Sequence, residues 1–103
     1  MELKVLDVVK GCNTPAQGTA LFEKIIDLLQ MHDSIVISFS DVTEVTSSFI
    51  NSSIVRLVLN EDLESVRSQI AISDVSKVSA DMIRRCIRNA QLRQDLKDVE
   101  ADS

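Results

Sequence analysis

Few residues of this chain have the types and spacing that catalysis requires. His32 is the only histidine among 103 residues, and it falls where the periodicity of a first helix ends. An imidazolium there would meet the negative end of the helix dipole, so it reads as a structural cation rather than a ligand or base. Cys12 and Cys86 form no C-x-x-C motif, have no nearby histidine, and match no zinc-site spacing. Asp41 and Glu44 place two carboxylates on one loop, but nothing beside them would divide the roles of acid and base. Gly11 and Gly18 are the only glycines, so no glycine-rich loop can cradle a phosphate. We expect no catalytic residues, no metal, no cofactor and no enzymatic activity.

Two clusters remain. Arg84, Arg85 and Arg88 stand out against an acidic chain, with Arg84 and Arg88 on one helical face and Arg85 beside them. They read either as a solvated face that complements nearby acids and the C-terminal half of the helix, or as a docking patch for an acidic surface. The second cluster is Thr46-Ser47-Ser48, three hydroxyls in a row at the start of a helix. One of them caps the helix. A phosphoryl group on Ser47 or Ser48 would add about −1.5 to −2 charges where unpaired amides and the positive helix end tolerate an anion.

The elements that position these residues follow from periodicity. Leu3–Val9 reads as a strand apolar on both faces, and Gly11–Thr14 as a turn. Thr14-Pro15-Ala16-Gln17 opens a helix with a capping box and proline at the first position. Its apolar stripe is Phe22, Ile25, Ile26 and Leu29. Gly18 inside that helix hints at close backbone packing. Ser34–Phe39 is a compact β-branched run, the central strand, and Ser40–Val45 connects it to a second helix carrying Phe49, Ile50, Ile54, Leu57 and Val58. Asn60–Ser65 reads as a polar loop and Val66–Ser73 as the third strand. Ser79 is the expected cap of a last helix with Met82, Ile83, Cys86, Ile87 and Ala90 on its buried stripe. The result is a small α/β domain over residues 1–94, in the order βαβαβα with a mostly parallel sheet. An acidic, frayed tail follows over 95–103.

Composition narrows the function further. A net charge of −5 and three aromatic residues, all phenylalanine, leave neither the basic surface nor the stacking platforms that nucleic-acid binding needs. The same acidity disfavours anionic membranes, and no apolar run approaches the ~20 residues of a membrane span. With no leader-like N-terminus and two unpaired thiols, a cytoplasmic protein is expected.

The stretch Ser34–Val58 carries a resemblance. Its S-x-S-D-V-x-x-V-T-S-S-F-I pattern, between a central strand and a helix, resembles the STAS domain of anti-sigma factor antagonists, where a D-x-S/D-x-V-type loop leads to D-S-S-G-L. It is closer still to an uncharacterised bacterial STAS-like family whose motif ends in S-S-F, and the strand and R-R-x-I helix of Val66–Arg88 resemble that family too. The resemblance implies a STAS-like fold and a non-enzymatic regulatory domain. Its partner would be an anti-sigma-type serine kinase that uses ATP, with no nucleotide held by this chain. By position, Ser48 matches the phosphoacceptor, with Ser47 beside it, and Asp41, Thr46, Phe49 and Asn51 would form the surface a partner reads. Thr46 replaces the family aspartate and Phe49 the glycine. These departures, and a chain too short for an extra N-terminal strand or a fourth full helix, bear more on phosphorylation than on fold. The alternative is a constitutive adaptor or homodimer using an open sheet edge or the face around Phe49. An enzyme or small-molecule sensor would need a polar pocket around Asp41, Glu44 and the serines.

Overall fold

The computed structural model describes residues 1–59 and 66–101, and side chains outside 66–67 and 94–101. The expected loop Asn60–Ser65 lies outside the described residues. Among the described residues the elements are, in order, β1 (Glu2–Lys4), α1 (Val5–Val8), α2 (Pro15–Leu29), β2 (Ile35–Ser38), α3 (Ser47–Ser52), α4 (Ile54–Leu59), α5 (Val66–Gln69), β3 (Ile70–Ser73) and α6 (Lys77–Ala101). The three strands form one sheet in the order β1-β2-β3. Both pairings are parallel, which fits the α/β class read from the sequence.

The register sorts the sheet into two faces. Leu3 pairs with Ile37 and Ile37 with Ile72, while Ile35 pairs with Ile70. Parallel partners point to one side, and on this side Leu3, Ile35 and Ile37 are buried with Phe39 just beyond the strand. The opposite side carries Glu2, Val36 and Ala71 in one row, and Glu2 and Ala71 are exposed. A parallel sheet is usually covered on both faces; this one is covered on the apolar face, with two of its outer residues open to solvent.

Two expected strands are shorter than their apolar runs. Leu3–Val9 becomes the short β1 followed by the turn of helix α1, whose end is tied by the Val9 amide donating to the Val5 carbonyl at 3.1 Å. Val66–Ser73 likewise divides into α5 and β3. Alternating apolar residues in a short segment suit one helical turn against a core as well as a strand.

The local signal at α2 is stronger. The Gln17 amide donates to Thr14 Oγ1 at 3.2 Å, and Gln17 Oε1 accepts from the Thr14 amide at 3.1 Å, completing the capping box. The buried face runs through Gly18, Leu21, Ile25 and Leu28, with Phe22, Ile26 and Leu29 at its margin. The stripe is therefore rotated from the one the spacing predicts. Gly18 sets the rotation, because a Cβ there would lie 2.5 Å from the Phe49 carbonyl oxygen and 2.7 Å from Ser52 Cβ. The backbones of α2 and α3 touch at this point.

The second helix of the sequence reading is two helices. Ser53, at φ −120° and ψ −85°, separates α3 from α4. Its buried hydroxyl donates to the Phe49 carbonyl at 2.8 Å, the kind of i−4 back-bond with which serine bends helices. α3 and α4 pack against α6, which contributes buried Ile83 and Cys86. Ser76, not Ser79, accepts the first-turn amide at the start of α6, from Ser79 N at 3.1 Å, and Ser79 itself is buried. The helix continues through Ala101, where the sequence suggested a frayed tail from Asp95.

Candidate functional site

The carboxyl ends of the strands and the loops that follow them gather the residues singled out by the sequence, as is usual in open α/β sheets. After β2 the chain turns sharply. The Val42 amide donates to the Phe39 carbonyl at 3.0 Å, and Asp41 takes φ 67°, a left-handed conformation that aspartate tolerates better than most residues. Asp41 is exposed and its carboxylate meets Lys4 Nζ at 3.4 Å, joining the end of β1 to the loop. Asp74, at φ 55° after β3, accepts from Ser38 Oγ at 2.7 Å and Ser73 Oγ at 3.3 Å. Both left-handed aspartates thus brace turns at the carboxyl end of the sheet.

Thr46 fixes the start of α3. Its hydroxyl accepts from the Phe49 amide at 3.2 Å and donates to the Asn13 carbonyl at 2.9 Å. Its amide donates to the Cys12 carbonyl at 3.0 Å. One residue therefore caps α3 and ties it to the turn before α2. The capping duty expected of one of the three hydroxyls belongs to Thr46, so its hydroxyl is engaged within the fold.

Ser47 and Ser48 are both exposed, and neither side chain has a hydrogen-bond partner among the described residues. Helical geometry puts Ser48 on the side opposite Phe49 and Ile50, which are fully buried. Phe49 is thus unavailable to a partner: its ring is a core group, as its size in place of a glycine would require. Asn51 is half-buried, and its Oδ1 is buried without a hydrogen-bond partner. Of the residues read from the sequence, the structure brings Ser47, Ser48 and Asp41 to the surface, engages Thr46 internally and removes Phe49. α3 has only six residues, so it carries less of the macrodipole that the expected longer helix would supply.

The sequence reading missed the walls of this surface. An open groove of about 210 Å³ runs between the α1–α2 turn and the β2–α3 loop, lined by Lys10, Asn13, Asp41, Thr43 and Glu44 among others. A second hollow of about 250 Å³ brings Glu44, Val45 and Thr46 against Val78, Ser79 and Met82 of α6. Val78 is 78% exposed; its place beside the β2–α3 loop depends on a long-range contact that no local pattern announces.

The remaining chemistry-bearing groups lie elsewhere. His32 is exposed just past the end of α2. Cys12 and Cys86 are buried free thiols, and burial pushes both pKa values up, opposed at Cys86 by Arg85 and Arg93. Among the described residues no three His, Cys, Asp or Glu side chains gather as a metal site would require. None of the described helices is long and apolar enough to cross a membrane.

A family model described as a STAS-like domain of unknown function matches residues 17–80, more than half of the chain. No curated protein and no solved structure matches it. The chain belongs to this STAS-like family.

Proposed function

We propose that this STAS-like domain is a non-enzymatic, protein-binding regulatory module whose partner reads the start of α3, and that phosphorylation of Ser48, or of Ser47 beside it, switches that contact. The observation that carries the reading is the division of labour among the three hydroxyls. Thr46 caps and anchors the helix, which leaves Ser47 and Ser48 exposed and without structural duty. In the switch, the γ-phosphoryl of ATP held by an anti-sigma-type serine kinase passes to Ser48 Oγ, the hydroxyl proton departs and ADP is released. The added charge of about −1.5 to −2 falls on an exposed position of a chain whose net charge is already −5, so it repels an acidic partner face. Because Ser48 points outward, the modification leaves the core untouched.

The test compares Ser48→Asp with Ser48→Ala in affinity for the kinase partner. We expect the aspartate variant to bind at least about tenfold more weakly, a difference of about 1.4 kcal/mol, with unchanged melting temperature for both. Equal affinities would favour a second reading, a constitutive adaptor or homodimer. That reading draws support from the sheet, where β1 and β3 are edge strands and Glu2 and Ala71 lie on an open face. In either case the setting is taken to be a bacterial cytoplasm, and the partner a protein rather than nucleic acid or membrane.

A further inference from the structure

The arginines of α6 sit where neither structural explanation of them suffices. Arg84, Arg85 and Arg88 are exposed and, with Asp81, line an open concavity of about 480 Å³. Ile83 and Cys86 turn the other side of the helix into the core. The helix-dipole account requires cations in the last turn. α6 runs on to Ala101, however, which places Arg88 roughly 20 Å short of that end at 1.5 Å per residue. The ion-pair account covers one residue only, Arg84, which meets the Asp81 carboxylate. Arg85 and Arg88 have no ion-pair partner among the described residues.

Spacing makes the cluster unfavourable for the isolated chain. Arg88 follows Arg84 by four residues and Arg85 by three, so both pairs are like-charged neighbours on the helix surface, an arrangement that destabilises a helix. Asp81, three residues before Arg84 and four before Arg85, offsets it at those two arginines and not at Arg88. The positions three and four beyond Arg88 are Gln91 and Leu92, which offer no compensating acid. In a chain of net charge −5, this is a local reversal of sign concentrated on two helical turns. Arginine, with its planar fork of donors, matches carboxylates two oxygens at a time.

We propose that the Arg84–Arg85–Arg88 face of α6 is a docking surface for a carboxylate-rich segment of a partner protein. Arg85 and Arg88 take the segment's carboxylates directly, and Arg84 exchanges Asp81 for a carboxylate of the partner or remains paired at the edge. The surface is defined by its own residues and stands whether or not Ser48 is modified.

The probe is an end-blocked octaglutamate peptide titrated at low ionic strength into the full chain labelled with nitrogen-15. Saturable amide shifts should concentrate on residues 81–88. The variant Arg85→Glu/Arg88→Glu should bind about tenfold more weakly, whereas Ala20→Glu/Lys24→Glu/Met31→Glu, with the same change in net charge at other exposed sites, should stay within about twofold. Should the reversed variant fail to fold, Arg85→Gln/Arg88→Gln should still weaken binding by about fivefold. Four results would overturn the proposal: no saturable shift, equal loss in the two charge-reversed variants, the same shifts from inorganic phosphate at equal concentration, or arginine-dependent self-association without peptide. The last two would assign the face to a small anion or to a second copy of the chain.

Discussion

Thr46 and Ser48 stand two positions apart and have opposite duties. The Thr46 hydroxyl both accepts from the first turn of α3 and donates to the Asn13 carbonyl, so its removal leaves two backbone groups without their partner. Thr46→Ala should lower stability by about 1–2 kcal/mol in urea denaturation. Thr46→Ser, which keeps the hydroxyl, should recover most of it. Ser47→Ala and Ser48→Ala should each stay within about 0.5 kcal/mol of the parent. A loss at Ser48 as large as that at Thr46 would mean that its hydroxyl is structural and would remove the basis for a switch. The sequence showed that a hydroxyl would cap this helix but could not assign it among three neighbours. The assignment depends on the turn at Asn13, 33 positions earlier in the chain.

At the scale of elements, what the sequence made legible was local. The capping box of α2 rests on four adjacent residues, and the β-branched residues of the short β2 run favour a strand. Where a contact between distant elements decides, the pattern misled. The stripe of α2 is turned toward Leu21 and Leu28 because Gly18 lets the α3 backbone approach. The same spacing that read as one helix from Ser47 to Val58 is interrupted by Ser53, whose hydroxyl satisfies the Phe49 carbonyl. Gly18→Ala tests this junction. Alanine improves helix propensity by about 1 kcal/mol, but its Cβ would meet a backbone carbonyl at 2.5 Å, and such overpacking costs about 1–3 kcal/mol. We expect a net loss of up to roughly 2 kcal/mol, with amide shifts extending from α2 into Ser47–Ser52. A variant more stable than the parent would contradict the contact.

The whole molecule is a thin α/β domain, with one face of a three-stranded sheet buried under helices and its chemistry confined to the surface. Its thiols belong to the core. Burial raises the pKa of Cys12 and Cys86 above the ordinary value of 9.0, so the folded chain holds these protons after the unfolded chain has released them. Stability should therefore be insensitive to thiol titration at pH values well below 9.0 and fall as the pH rises past that value. Cys12→Ala should flatten that fall in the urea midpoint, whereas a midpoint that rises with pH over the same range would contradict the sign. Family membership and parallel architecture were legible in the S-S-F motif and the strand–helix alternation. The walls formed by α6 were not, since Val78 and Met82 reach the β2–α3 loop only through the packing of α6 on α3 and α4.

The central claim is that the start of α3 offers a free serine for a partner to modify. Phosphopeptide mass spectrometry of the intact chain, co-expressed with an anti-sigma-type serine kinase from the same genome, addresses it most directly. The account predicts a single phosphate on the peptide containing Ser47 and Ser48, abolished by Ser47→Ala/Ser48→Ala and retained in Thr43→Ala. An unmodified peptide in the presence of active kinase, or a phosphate that survives loss of both serines, would contradict it.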